Sequence, residues 1–460
     1  MEVWLKSASE REEGAGGRRA IACLVCRGSR RSAGILGGES TVLKLPWEDD
    51  GGRDWLQSVA RQRASAVSAA RAAARLPAYE RAFRAAGLEA AALTEAGWEA
   101  LPFLTKDDLI QDARDHPPFG RRLGVERADL AHVFVAPGPI YMPYTREDME
   151  LVAGSFARAL RSCGLGATDL VDQTTMYNWV IAATAIDRAL RMIGCAVVPG
   201  GVGQSDRHVE VIRQLGVTAI VAFPTFLEHI LEVAEAEGRP LGLKKAVVMG
   251  ELSHPDTKKN LRTVHGLEAR EFYGVADVGA VAWECSHGNG MHLREDLLVE
   301  FITPGGTAPV DPSMESPAEL VVTDFSRKAM PIIRLRTGDI ITGLTREPCA
   351  CGSQSPRIAR IAGRAGEITK VKGMFVVPRL VGDVFLRAGI DRRYRLVVDR
   401  TAGGRDSLTL EIEGTPLPDG ARLQALIEAA LRMKLEMSFV ETLPEHGLRL
   451  LDRRKEGPLK

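Results

Sequence analysis

Residues 195–201 read CAVVPGG, 217–223 VTAIVAF, 245–250 KAVVMG and 269–274 AREFYG. Each is a short apolar run, mostly rich in β-branched or aromatic residues, and each gives way to glycine, proline or threonine. Between the first two, Val209, Ile212 and Leu215 fall on one helical face. Ser205 or Asp206 can cap that helix and Gly216 can end it. Phe226 to Glu237 reads as a second helix stopped by Gly238, and Pro255 to His265 as a third stopped by Gly266. The order is therefore strand and helix in alternation. The strands are continuously apolar, which requires cover on both faces, and this points to an α/β fold with a parallel sheet flanked by helices. The strand ends carry Gly200-Gly201, Pro224-Thr225, Gly250-Glu251 and Tyr273-Gly274. Small and polar residues there suit a ligand cleft, because open α/β sheets bind ligands beyond the carboxyl ends of their strands.

Outward from this core, residues 54–90 are rich in Ala and Arg with helical spacing, a helical lead-in ending near Gly87. The first 45 residues differ: from Ala15 to Gly38 there are five arginines and no acidic residue. An extension without fixed structure, or a start assigned too far upstream, is expected; a transit peptide or a metal-binding tail at Cys23 and Cys26 is the alternative. After about Gly363 the texture changes again. VKGMFVVP, YRLVVDR and LTLEIEG read as strands of a smaller α+β unit, followed by a helix from about Gly420 to Leu435. The expected division is thus 1–45, 46–363 and 364–460, in keeping with two or three domains for 460 residues.

Composition narrows the partners. Sixty basic residues balance sixty acidic ones, so no electrostatic case exists for nucleic acid or an anionic membrane. The most apolar stretch, Val180 to Val198, is broken by Asp187, Arg188 and Arg191 and is no membrane span. Seven scattered cysteines are not a secreted disulfide framework, and a reducing, cytoplasmic setting is expected. Cys163 and Cys195 lie in apolar surroundings and read as core residues.

Residues 347–352, EPCACG, place two thiols one residue apart. A thiolate pair needs two more ligands to close a tetrahedral zinc site. Candidates lie in WECSHGNGMHLRED, where Gly288 and Gly290 let a loop fold back. Cys285, His292, Cys349 and Cys351 would make a closed and therefore structural Cys₃His site, with His287 as the alternative to His292. Idle buried thiols are the other reading.

EFYGVADVGAVAWECSHGNGMHLRED (271–296), RTGDI (336–340), CACGSQSPRI (349–358) and GRAGEITKVKGMFVVP (363–378), in that order, resemble the phenylacetate–CoA ligase family of adenylate-forming enzymes. FPTFLEHILEVAEAEG (223–238) adds to the resemblance, which runs from about Leu76 to about Lys455. It implies a large AMP-binding domain with helix-flanked, mostly parallel sheets and a small mobile α+β domain. It also implies a reaction: a carboxylate, aromatic in the family, attacks the α-phosphate of Mg·ATP, and coenzyme A then displaces AMP. By the same resemblance Tyr273 and Gly274 sit against adenine and Gly250 and Glu251 form the adenine-side loop. Asp339 binds the ribose hydroxyls, and Asp277 helps hold Mg²⁺. Tyr177, Trp179 and Phe223 line the acyl pocket, although core packing accounts for such aromatics equally well. Gly363 to Glu367 matches the hinge, and the Cys/His zinc clip recurs in such proteins. The implied partners are a carboxylic acid and coenzyme A, with no nucleic acid and no membrane; the oligomeric state stays open, a homodimer being one option.

Two segments depart from the family pattern. The phosphate loop should be rich in Ser, Thr and Gly and end in Lys, but residues 133–148 read VFVAPGPIYMPYTRED. Gly138 remains, while Pro137 and Pro139 remove the N–H groups with which such a loop holds phosphate. The C-terminal lysine that would clamp the carboxylate and α-phosphate falls at Leu448, beside Arg449, which carries charge without the same point geometry. Two readings follow: an atypical acyl-CoA ligase using Arg449 and Asp277 in catalysis, or a nucleotide- and acyl-binding homologue impaired in adenylation.

Overall fold

A computed structural model of the chain describes residues 55–136, 140–251, 255–365, 369–371, 374–400, 406–444 and 449–454. The expectations for the first 45 residues, for Pro137, Gly138 and Pro139, for Leu448 and for Gly366 and Glu367 of the hinge lie outside these residues.

The strands, in chain order, begin with a hairpin of β1 (Leu130–Ala136) and β2 (Ile140–Thr145). A central sheet then uses β3 (Leu170–Gln173), β4 (Ala196–Val198), β5 (Ala219–Ala222), β6 (Lys245–Val248), β7 (Glu268–Val275), β8 (Gly279–Glu284), β9 (Met291–Leu293), β10 (Leu298–Ile302), β11 (Ala318–Asp324), β12 (Ile332–Thr345) and β13 (Arg357–Arg364). A short pair, β14 (Thr369–Val371) and β15 (Met374–Val376), leads to a separate four-stranded sheet of β16 (Tyr394–Arg400), β17 (Asp406–Glu413), β18 (Glu436–Val440) and β19 (Leu450–Asp452).

The central sheet has eleven strands in the order β10-β11-β12-β13-β9-β8-β7-β6-β5-β3-β4. From β4 to β7 every pairing is parallel, as the continuous apolar runs require. The interleaving strand β3 was not anticipated: its sequence LVDQ is short and half polar, and it separates β4 from β5. All four residues of β5 are buried. Val209, Ile212, Leu227, Ile230 and Leu231, from the helices Ser205–Leu215 and Pro224–Ala236, pack with Ile220, Ala222, Ala246 and Val248. Each such aliphatic side chain contributes about 1.5–3 kcal/mol by leaving water. The first of these helices is preceded by Gln204, in left-handed conformation and without a side-chain cap, rather than capped by Ser205 or Asp206. Gly216 ends it at φ +64°, as expected.

Beyond β7 the sheet turns antiparallel through β8, β9, β13, β12, β11 and β10. The lead-in forms helices Trp55–Ala73 and Pro77–Ala85, whose Ala66, Ala70, Tyr79 and Phe83 share a core with Trp98, Leu298 and Ile333. The four-stranded sheet has a hydrophobic core of its own. Val384 and Phe385 of helix Arg379–Arg387 and Leu423 and Ile427 of helix Gly420–Leu431 pack there with Leu396, Val398, Leu410 and Ile412. Among the described residues no helix is long and apolar enough to cross a membrane.

Candidate active site and metal centre

The rim at the carboxyl ends of the parallel strands is built from polar side chains that the sheet register fixes. Tyr273 stands near the end of β7. Its hydroxyl donates to Oδ2 of Asp339, on β12, at 2.6 Å. Asp339 pairs across the sheet with Arg364, whose Nε lies 2.9 Å from its other carboxylate oxygen. Gly338, at φ +74°, turns the backbone so that the Asp339 N–H reaches the Thr337 hydroxyl at 3.0 Å. Burial, and then the adjacent Asp339 charge, push the Tyr273 phenol well above its usual range, so it remains a donor.

Asp277 occupies the tight turn between β7 and β8 and is fully buried. Arg327 donates to its backbone carbonyl at 2.8 Å. Among the described residues neither carboxylate oxygen accepts a hydrogen bond, and Lys106 forms an ion pair with the carboxylate, Nζ standing 3.4 Å from Oδ2. Sequence reading missed Lys106; only the helix start that carries it has a local signal. Thr105 and Asp108 form a reciprocal capping box that starts the helix Lys106–Asp115 and sets Lys106 at its first position. Leu104, just upstream, exchanges backbone hydrogen bonds with Arg334 and Arg336 of β12 at 2.9 and 2.8 Å, which ties this helix start to the strand carrying Asp339.

Gly250 follows β6 at φ +79°, and a Cβ there would lie 2.3 Å from Cε1 of Phe223. The Phe223 ring thus packs directly on the glycine backbone. Glu251 accepts from the Thr225 hydroxyl at 2.8 Å and faces the Thr225 N–H at 3.3 Å, at the first turn of the helix Pro224–Ala236. A carboxylate is favoured at that positive helix end.

The next rim segment is held by a buried ion pair. His208 Nδ1 lies 2.6 Å from Asp172 Oδ2, and Nε2 lies 3.1 Å from the Gly201 carbonyl. Both ring nitrogens face acceptors, which suits the imidazolium. Burial opposes that charge, but the hydrogen bond and charge of Asp172 outweigh it and raise the His208 pKa. Gly200 has no room for a side chain, since a Cβ would stand 2.4 Å from Cε1 of His208.

The three aromatics expected at an acyl pocket differ in placement. Tyr177 and Phe223 are half-buried. The Tyr177 hydroxyl reaches Asp187 at 3.4 Å, and burial followed by the Asp187 charge pushes its pKa up to about 12. Trp179 is 75% exposed, in left-handed conformation at φ +66°, and its carbonyl accepts the Val135 N–H at 2.8 Å. Its indole lies on the surface. Arg449 is not gathered with Asp277 or Asp339; its Nη1 donates to the Tyr394 hydroxyl at 3.1 Å, and its guanidinium stands 5.2 Å from that ring.

The sulfur and nitrogen ligands do come together. The donor atoms of Cys285, His292, Cys349 and Cys351 all lie within 4.8 Å of one another. Cys285 Sγ and Cys349 Sγ are 3.8 Å apart, and Cys351 Sγ is 3.5 Å from His292 Nε2. Sulfurs about 2.3 Å from a tetrahedral ion are separated by about 3.8 Å, so the spacing fits such an ion. His292 Nδ1 donates to the Ser355 carbonyl at 3.1 Å, which leaves the Nε2 lone pair directed at the thiols. Burial, followed in the same direction by the Arg357 charge, lowers the His292 pKa and keeps the ring neutral, as a ligand must be. Pairing of β9 with β13 sets His292 opposite Arg357, and a turn from Cys349 to Ser353 presents both remaining thiols. Gly290 passes so close to β13 that a Cβ would lie 2.8 Å from the Ile358 carbonyl. His287 is exposed and outside the cluster, and Cys163 and Cys195 are buried elsewhere.

No family model matches the chain. It is 29% identical over 353 residues to a phenylacetate-coenzyme A ligase of Aromatoleum evansii, covering 74% of this chain and 78% of that protein. It is 29% identical over 354 residues to the phenylacetate-coenzyme A ligase of Thermus thermophilus, covering 74% and 77%. Among solved structures, an open conformation of 2-hydroxyisobutyryl-CoA ligase, in complex with 2-HIB-AMP and CoA, superimposes with a TM-score of 0.76 at 21% identity, over 90% of this chain and 97% of that one. In sequence, then, the chain is similar to phenylacetate–coenzyme A ligases, and in fold it matches the 2-hydroxyisobutyryl-CoA ligase.

Proposed function

We propose that the chain is an AMP-forming carboxylate–CoA ligase. The carrying observation is the convergence of Tyr273, Asp339, Asp277 and Lys106 on one rim of the central sheet. In this reading the adenine lies beside Tyr273, over the Gly250–Glu251 turn, and Gly274 keeps the strand edge low enough for the base to approach. Asp339 takes the ribose hydroxyls, exchanging hydrogen bonds now made by Tyr273 and Arg364. The substrate carboxylate attacks the α-phosphate of ATP, the bond to the β-phosphate breaks, and pyrophosphate leaves. The coenzyme A thiol, losing its proton, then adds to the acyl carbonyl and AMP departs as the thioester forms. Asp277 has two carboxylate oxygens without hydrogen bonds, which suits a hard cation, and Mg²⁺ there would supply charge neutralisation for the phosphates. Lys106 is a fixed positive charge beside it, of the kind a developing phosphoryl charge requires. Tyr177 and Phe223 flank the acyl group, with Trp179 at the outer edge. The small C-terminal unit after about residue 364 turns between the two half-reactions, and only then can Arg449 approach the phosphates. The Cys/His cluster holds structural Zn²⁺.

The test is pyrophosphate release by the purified, zinc-loaded protein with ATP and a panel of aromatic and short-chain carboxylic acids. Release that depends on at least one acid supports ligase chemistry. The second reading, a nucleotide- and acyl-binding homologue without full adenylation, is favoured by Pro137, Pro139 and Leu448 where phosphate-binding groups were expected. It predicts AMP binding with no pyrophosphate from any acid.

A further inference from the structure

The separate four-stranded unit carries a cleft of about 670 Å³ between its two helices, Arg379–Arg387 and Gly420–Leu431. Its floor is apolar: Val384, Leu423 and Ile390, with Leu426 on the rim at 49% exposure. That volume falls in the range of small-molecule sites, about 300–1,000 Å³. Two guanidinium groups, Arg387 and Arg422, stand at its edge. Among the described residues neither has a carboxylate partner; Arg387 donates only to the Asp383 carbonyl, at 3.1 Å. Arg422 is placed against the helix field. It lies in the first turn of Gly420–Leu431, whose N-cap residue, Asp419, makes no side-chain hydrogen bond to the turn. Helix starts favour anions by about 0.3–1 kcal/mol, so an anion held by this arginine would also lie in a favourable helix field. Asp419, the one acidic lining residue, makes no ion pair with either arginine among the described residues and leaves the cleft net positive.

We propose that this cleft binds an amphipathic small-molecule anion, with an apolar body on the Val384–Leu423 floor and a single carboxylate-type head between Arg387 and Arg422. A protein partner fits less well. The nine-residue helix forming one wall is only about 13 Å long, whereas a stable protein interface covers about 800 Å² on each side. The cleft lies wholly within the C-terminal unit and shares no residue with the Tyr273–Asp339–Asp277 rim.

Calorimetric titration of the full-length protein with decanoate, and in parallel with 1-decanol, tests the site. The expected result is saturable decanoate binding that weakens at least tenfold in the Arg387→Gln/Arg422→Gln variant, while decanol affinity stays within twofold. Both arginines are exposed, and an unchanged thermal midpoint checks that the variant folds. No saturable decanoate binding, or equal decanoate affinity in wild type and variant, overturns the proposal. So does equal loss of decanol binding, since the arginines would then shape the cleft rather than bind a charge. Tighter binding of an acidic amphipathic peptide that displaces decanoate would replace the small molecule by a protein partner.

Discussion

The Cys/His cluster and the rim at Tyr273, Asp277 and Asp339 are both assembled from residues far apart in the chain, but they are finished differently. In the cluster, three thiols and the free nitrogen of His292 face one another, and the other ring nitrogen is fixed by Ser355. Apart from one another, the ligand atoms have only weak partners among the described residues, such as Asn289 Oδ1 at 3.7 Å from Cys349 Sγ. In the rim, Asp339 is already engaged by Tyr273 and Arg364, and Asp277 is paired with Lys106. A metal adds to the first site, whereas a nucleotide must exchange partners at the second. Metal binding should therefore appear mainly as stability. Nucleotide affinity is a difference between new and surrendered hydrogen bonds, each worth about 1.5–3 kcal/mol where a charge is involved.

The largest effect should come from breaking the cluster. Cys349→Ser, or removal of metal by a chelator, is expected to cost about 4 kcal/mol or more, read as a lower thermal midpoint together with loss of one zinc per chain. Next is Asp277→Asn, which should reduce acid-dependent pyrophosphate release by about 10²–10³-fold while AMP binding survives. Equal loss of both would show that Asp277 serves folding rather than phosphate chemistry. Asp339→Ala should follow, weakening AMP by about 10–100-fold in a thermal-shift titration.

Tyr273→Phe sharpens the contrast between the two regions. It removes one internal partner of Asp339, so stability should fall by about 1.5 kcal/mol, the low end for a bond to a charge, while AMP affinity changes less than threefold. A large affinity loss would mean that the hydroxyl, not the ring, contacts the nucleotide. The smallest effect concerns His208. Its folded pKa is raised by Asp172, so its contribution is fully present below the unfolded value of about 6.5 and is lost as pH rises through the folded value. Wild type should lose stability over that alkaline interval relative to His208→Gln, measured by denaturation at a series of pH values.

The parallel half of the sheet was legible because β5 and β6 are unbroken apolar runs closed by Pro224 and Gly250, a pattern that local sequence alone carries. β3 was not, because LVDQ becomes a strand only between β4 and β5, where Asp172 finds His208 and Val171 is buried. The antiparallel continuation from β8 onward depends on pairings such as β9 with β13, between residues about 65 positions apart, which no local period encodes. The zinc ligands could be named because thiols are rare and their spacing is chemical. Lys106 could not, since one lysine among 60 basic residues gains meaning only when the capping box and β12 bring it to Asp277. Trp179 reads as a pocket residue by type, yet its backbone conformation turns the indole outward.

The most direct measurement is calorimetric titration of zinc-loaded protein with a non-hydrolysable acyl-sulfamoyl adenosine. If a nucleotide docks on the Tyr273–Asp339 rim, the mimic binds saturably, one per chain, and more tightly than AMP. Absence of any binding by a folded, metal-replete sample would contradict the nucleotide site and with it the proposed ligase chemistry.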